Sequence, residues 1–434
     1  MSKDSSRQFM VPLILMGMLF FIFGFVTWLN GILIPYLQIA CELTNFQAVF
    51  VAFSFYISYT LMAIPSARIL EKIGFKSGIM LGLLIMAVGT ALFIPSAMYR
   101  TYAAFLLGLF IMGTGLALMQ TAVNPYITIL GPRETATVRL SIMGICNNVA
   151  GAIGPLVLAY YILSDGDEIV NRLKTLDLDS KNLLLDNLSR RVITPYIIMT
   201  AVLVGMGALV KLSPLPDIED DDQDLSEAEV SGKTSIFQFP HLILGVITLF
   251  VYVGVEVIAA NTIFSYGISL GVPIESAKTY TTLVMITMLL GYILGIIAIP
   301  RFVSFLTVLK LSAFSGIVFT LFALFIPSEI SFFVPWFNIQ MPLTIFFIAL
   351  LGLSNSLVWP AIWPLAIDGL GKFIKQGSAL LIMAISGGAL LPLAWGLISD
   401  NWSARWAYLL VVPAYFIILL YAIYGYKVKK WTRG

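Results

Sequence analysis

Charge is scarce in this sequence. Asp, Glu, Lys and Arg supply 11% of its 434 residues, 59% are hydrophobic, and mean hydropathy reaches +0.95. A soluble domain carries about 25% charged residues, so the composition excludes one and points to a chain buried in lipid. Histidine occurs once, as His241, and cysteine twice, as Cys41 and Cys146. There is no Cys or His ligand spacing, and the two thiols fall at the end of one apolar segment and the middle of another. Neither a metal site nor a disulfide is therefore expected. A Gly-rich phosphate loop of the Walker type is missing, so ATP drive is not encoded here. Strict apolar/polar alternation is missing too, which excludes a membrane β-barrel.

What is abundant is apolar helix. A spanning helix needs roughly 20 apolar residues, and segments near 10–38, 45–70, 77–97, 101–130, 138–163, 193–213, 238–268, 277–300, 305–327, 341–370, 376–399 and 405–427 qualify. The expected fold class is an all-α membrane protein with twelve transmembrane helices. Met1–Gln8 is short and polar with no cleavage site after the first apolar run, so that run reads as a retained span. Arg68, Lys72, Lys76, Arg133, Arg139, Lys310, Lys372 and Lys429 fall on one side of the membrane, whereas the opposite short loops hold only Arg100, Lys278 and Arg405. This bias predicts a plasma or inner membrane protein with both termini in the cytoplasm. It also accounts for the basic residues, so no nucleic-acid partner is expected. The bilayer is the expected surrounding and a monomer the expected state.

Two longer connections interrupt the pattern. Residues 214–235 contain DIEDDDQDLSEAEV, an acidic solvated linker between a six-helix unit at 1–213 and another at 236–434. Residues 164–191 are an outer loop of mixed charge, expected to form a short amphipathic surface helix and assigned no chemistry. The units repeat: Gly151, Ala152, Pro155 and Leu156 recur as Gly388, Ala389, Pro392 and Leu393, and Gly115 and Leu116 recur as Gly352 and Leu353 at the same offset. Internal repeats of this kind fit a secondary transporter with its site between the halves.

The candidate site begins with amides at membrane depth. Gln120 and Asn124 share a helix face at i, i+4, Pro125 is expected to break the backbone ladder after them, and Asn147 and Asn148 lie about two turns into the next helix. Each amide both donates and accepts, as does each hydroxyl of a sugar. The plainer reading is helix-to-helix glue, worth about 1 kcal/mol or less per contact. Four amides in one hairpin favour a polar cavity and a small-molecule sugar ligand.

The second unit supplies different chemistry. Glu256 is the only acid deep in a span, where a charge costs roughly 2.5–3.5 kcal/mol on insertion scales. Proton carriage, sodium binding, ligand hydrogen bonding and a purely structural role remain open for it; Tyr252 precedes it by one turn and Asn261 follows by just over one. Asn355, Trp359 and Trp363 form an i, i+4, i+8 row interrupted by Pro360 and Pro364, suited to stacking indole on a sugar ring or, more plainly, to packing. Asp368 stands four residues before Lys372, a pair expected as an ion pair or gate contact. Glu71 and Arg139, at the same face of the membrane, complete the candidate gate set.

Several segments together resemble a known family. LTNFQAVFVAFSFYISYTLMAIPSARILEKIGFKSG resembles the second span and following loop of the major facilitator superfamily, with Glu71, Lys72, Gly74 and Lys76 standing for its loop motif. WLNGILIPYLQ, where Asn30 joins the candidate sugar contacts, and TAVNPYITILGP, YVGVE and AIDGLGKFIKQGSALLIMAISGGALLPLAWGLISD are similar to the fucose:proton symporter family. Within it the likeness is greatest to the glucose/galactose branch. The resemblance implies hexose uptake by cation symport through alternating access, with no enzyme activity and no cofactor beyond a co-transported proton or sodium ion. It places Asn147 on a family residue associated with the sugar site. It also puts Gly31 and Gln120 where the fucose symporter carries functional acids; neither side chain titrates, so Glu256 becomes the coupling candidate, with protons expected ahead of sodium and uncoupled facilitation third. A membrane sugar sensor using the same pocket is the reading from another class.

Overall fold

In hydrocarbon every backbone N–H and C=O must be satisfied within the protein, and an apolar chain meets that demand by coiling into helices. The computed structural model describes residues 3–129, 136–213, 215, 233–299, 302–335 and 338–431. Its helices are α1 (Lys3–Trp28), α2 (Asn30–Ala40), α3 (Asn45–Met98), α4 (Tyr102–Ile129), α5 (Ala136–Ile162), α6 (Gly166–Leu173), α7 (Leu178–Arg190), α8 (Ile193–Leu212), α9 (Pro240–Asn261), α10 (Ile263–Ser269), α11 (Ile274–Ala277), α12 (Tyr280–Ala298), α13 (Phe305–Phe325), α14 (Leu343–Asn355), α15 (Val358–Ile367), α16 (Ile374–Met383), α17 (Gly387–Asn401) and α18 (Val411–Ile423). Eleven helical stretches of the described residues are long and apolar enough to cross a membrane. One of them, within α3, is 53 residues long and turns at Gly74, whose φ of 76° and ψ of 170° leave the helix and suit only glycine. Divided there, it yields the two spans read at 45–70 and 77–97, and twelve in all.

Four spans expected to be continuous are interrupted along their length. The first breaks between Trp28 and Asn30, the seventh at Thr262, the tenth at Ser356–Leu357, and the eleventh passes through a 3-10 turn at Ala384–Ser386. A side chain satisfies a backbone carbonyl at each break. Asn30 Nδ2 donates to Thr27 O (3.0 Å), Thr262 Oγ1 to Ile258 O (2.7 Å), Ser356 Oγ to Leu353 O (2.8 Å) and Ser386 Oγ to Met383 O (2.7 Å). Pro125 has no N–H and leaves the backbone ladder one bond short, but the helix is not interrupted there, and α4 runs on to Ile129. The repeated glycines and prolines fall on the fourth and fifth spans of each half: Gly115 on α4, Gly352 on α14, Pro155 on α5 and Pro392 on α17.

Where one surface helix was expected at 164–191, two form, α6 and α7, with Asp177 capping the second by accepting from Ser180 N. Tyr36 Oη donates to the carbonyls of Leu188 and Ser189, both at 2.9 Å, and Ser189 Oγ donates to Ala97 O at 3.0 Å. Lys181–Glu42, Arg100–Asp186 and Arg191–Asp165 ion pairs hold the remainder down. The Arg191 guanidinium keeps the Asp165 carboxyl below its usual range. An antiparallel hairpin, β1 (Ser331–Val334) and β2 (Ile339–Pro342), was not expected between the ninth and tenth spans; it pairs Phe332 with Met341 and Val334 with Ile339. The acidic linker at 214–235 lies almost wholly outside the described residues. Cys41 and Cys146 are free thiols.

The halves meet along α3 with α17 and along α5 with α12. On the predicted outer side Phe46 N donates to Asp400 Oδ2 at 3.0 Å, and Thr282 Oγ1 to Ala152 O at 3.3 Å.

Candidate functional site

Between the halves lies a cavity of about 100 Å³, lined from both sides. On this measure one water needs roughly 10–15 Å³, so the space suits a ligand displacing several waters. Helix α1 contributes Phe20, Phe23 and Trp28, α3 contributes Tyr56 and Tyr59, α4 contributes Gln120 and Asn124, and α5 contributes Asn147 and Asn148. From the second half come Tyr252 and Glu256 on α9, Tyr292 on α12, Trp359 on α15 and Ile385 from the 3-10 turn.

The polar groups are held by aromatic partners. Gln120 Nε2 donates to Tyr59 Oη at 3.1 Å, and Trp28 Nε1 donates to Asn147 Oδ1 at 3.1 Å. Asn148 Nδ2 turns back to Gly144 O at 2.9 Å, one helical turn earlier. Such bonds fix each amide while leaving capacity for a ligand, because an amide offers two donors and two acceptor sites. Glu256 Oε1 accepts from Tyr252 Oη at 2.9 Å, and among the described residues no Lys, Arg or His lines the cavity. The site therefore offers one carboxyl without a counter-ion, several neutral amides and phenols, and indole faces. That set suits a neutral ligand with many hydroxyls, beside a proton or a small cation.

Of the residues singled out in the sequence, Gln120, Asn124, Asn147, Asn148, Glu256 and Trp359 line this cavity. Asn30, Asn261, Asn355 and Trp363 do not. Asn30 serves the break in the first span. Asn355 is wholly buried and its Oδ1 accepts from Tyr415 Oη at 2.8 Å, the glue role. The expected Asn355–Trp359–Trp363 row fails because the helix ends at Asn355 and restarts at Val358, so the i, i+4 spacing does not carry across. Trp363 instead stacks behind Trp359, ring centroids 5.4 Å apart and planes 26° from parallel. Asn261 belongs to a different chamber.

Of the gate set, Asp368 Oδ2 meets Lys429 Nζ at 2.6 Å, and Asp368 itself has left the helix with a ψ of 126°. The Lys372 side chain lies outside the described residues. Arg139 Nε donates to Ile127 O at 3.0 Å, a contact within the first half, and Glu71 is exposed beside Gly74. Sequence reasoning missed the aromatic partners Trp28, Tyr56, Tyr59 and Tyr292. Tyr56 and Tyr59 stand at i, i+3, a spacing that marked a face, but Trp28 and Asn147 are 119 positions apart and only packing joins them.

Residues 16–389 match the Major Facilitator Superfamily. A glucose/galactose transporter of Brucella abortus biovar 1 is 31% identical over 428 residues, 98% of this chain and 96% of the relative. An L-fucose-proton symporter of Escherichia coli is 29% identical over 408 residues, 92% of this chain and 89% of the relative. Among solved structures, the Major Facilitator Superfamily transporter FucP in its outward conformation aligns with a TM-score of 0.74 at 28% identity, covering 98% of this chain and all of that one. A bacterial homolog of the human lysosomal transporter Spinster, inward-facing, aligns at 0.63 with 16% identity, a likeness of fold alone. Twelve spans in two halves that share a polar cavity between them, with a family match along most of the length, make this chain a member of the Major Facilitator Superfamily of membrane transporters.

Proposed function

We propose that the chain is a secondary active transporter that carries a glucose- or galactose-like hexose inward together with a cation, a proton ahead of sodium, by alternating access. The observation that carries this reading is the composition of the central cavity: hydrogen-bonding amides from α4 and α5, the Trp359 indole from α15 and the lone Glu256 carboxyl face one space between the halves. Amides meet hydroxyls, indole stacks on the C–H face of a sugar ring, and a carboxyl without a counter-ion takes up a cation. The names of the relatives, glucose/galactose transporter and L-fucose-proton symporter, support the same ligand class and drive. In this reading the protein sits as a monomer in the cytoplasmic membrane with both termini inside, residues 1–213 rock against 236–434, and 214–235 tether them.

The test is transport by the full-length chain in liposomes with labelled D-glucose and D-galactose. An imposed inward proton gradient is expected to drive accumulation, and hexose entry to acidify the lumen. Accumulation that follows sodium at fixed membrane potential assigns the sodium variant, and equilibration without accumulation assigns facilitation. Hexose binding with no movement under any gradient makes the protein a sensor and overturns the proposal.

A further inference from the structure

A second chamber, of about 70 Å³, lies between the halves. Its walls are Ile34 and Gln38 of α2, Ala48, Val49 and Ala52 at the start of α3, Asn261 and Thr262 at the break in the seventh span, Ser265 of α10, and Trp395 and Ser399 of α17. Among the described residues no charged side chain lines it. Asn261 is 2% exposed and Trp395 3%, yet the Asn261 amide nitrogen and oxygen and the Trp395 indole nitrogen have no hydrogen-bond partner among the described residues. Buried polar groups are ordinarily paired, because an unmade bond forfeits hydration without return. Three such atoms on one chamber wall mark a surface shaped for a ligand that donates and accepts.

The chamber stands in series with the central cavity. The first, second, seventh and eleventh spans line both: Trp28 then Ile34, Tyr56 then Ala52, Glu256 then Asn261, Ile385 then Trp395. In each pair the second residue lies toward the predicted outer end, and at 1.5 Å rise per residue the step from Glu256 to Asn261 is about 7.5 Å. The chemistry repeats as well, with amides, hydroxyls and one indole facing the space.

We infer that this chamber is a second hexose station, on the outer side of the central site, in which Asn261 and Trp395 hold the sugar. The inference rests on the hexose reading of the central cavity. A carrier with two stations binds sugar outside before the central site takes it, and substitution of the central residues leaves a weaker site behind.

Saturation-transfer NMR on the purified full chain, with D-glucose and D-galactose as probes, tests it. The wild type is expected to show transfer to at least one hexose. In the Gln120→Ala, Trp359→Ala double variant the apparent affinity should fall at least tenfold while transfer persists. Adding Asn261→Leu to that background should reduce the remaining transfer to the protein-free level. Trp395→Phe in the same background keeps the packing and removes the indole donor; it should weaken the remaining affinity at least threefold, and it carries the test if the leucine variant does not fold. Complete loss of transfer in the double variant, or residual transfer indifferent to both added substitutions, overturns the second station while leaving the central reading intact. A wild type silent to both hexoses overturns the central reading, and the hexose assignment of the chamber with it.

Discussion

Glu256 keeps a carboxyl group at mid-membrane with Tyr252 as its hydrogen-bond donor and no cation among the lining residues of its cavity. Accumulation against a gradient requires a cation bound and released with the sugar, whereas exchange of labelled for unlabelled sugar requires only that the loaded carrier reorient. Gln preserves the shape and the bond from Tyr252 but neither titrates nor neutralises sodium. Glu256→Gln is therefore expected to abolish gradient-driven accumulation while hexose exchange survives, as measured in liposomes. Retained uphill accumulation by that variant would remove Glu256 from coupling. The amides around it were legible residue by residue, because polar side chains in an apolar run stand out in any window. Their partners were not: Gln120 is held by Tyr59 and Asn147 by Trp28, contacts across 61 and 119 positions that leave no local trace.

At the scale of the element, the break between α14 and α15 decides which tryptophan meets the ligand. Had the tenth span been one helix, Asn355, Trp359 and Trp363 would share a stripe. The interruption at Ser356–Leu357 turns Trp359 to the cavity and leaves Trp363 as the buried ring on which it stacks. An aromatic contact adds about 0.5–1.5 kcal/mol beyond its buried area, so Trp359→Ala should weaken hexose binding up to roughly tenfold, and Trp359→Phe less, since a smaller ring still stacks. The check is a binding titration of both variants beside the wild type. Equal affinity in all three would make Trp359 a packing residue like its neighbour. Broken helices escape a periodicity reading because both arms remain apolar, and the sequence shows only prolines and hydroxyls whose effect depends on what lies alongside.

For the molecule as a whole, the two halves pack closely at the level between the two cavities. A Cβ on Gly388 would lie 2.9 Å from Val257 Cγ2 and 3.1 Å from the Tyr56 ring, so this glycine lets α17 pack against a residue of the opposite half. Overpacking a tight site costs typically about 1–3 kcal/mol. Gly388→Ala should therefore disfavour this close packing and shift the population toward states in which the halves part on the predicted outer side, by roughly 5- to 150-fold if the whole strain acts on that equilibrium. The readout is the labelling rate of Ser399→Cys by an impermeant maleimide, in a chain whose Cys41 and Cys146 are replaced by Ala. The alanine is expected to speed labelling severalfold, and an unchanged rate would mean that this packing does not hold the halves together there.

Composition and hydropathy by themselves determined the class of this protein and the count and order of its spans, because a lipid solvent forces helices of fixed minimum length on any apolar chain. The repeat of Gly151 and Pro155 in Gly388 and Pro392 was readable for the same reason that it is useful, since equivalent positions in two halves carry equivalent packing. Only the tertiary structure decided which polar residues share a space. Asn147, Glu256 and Trp359 were brought to one cavity, Asn355 was given to Tyr415, Asn261 to a second chamber and Asp368 to Lys429. Local spacing fixes a residue's face on its own helix, but where helices break and how two bundles abut set what that face meets, and those are properties of packing across the whole chain.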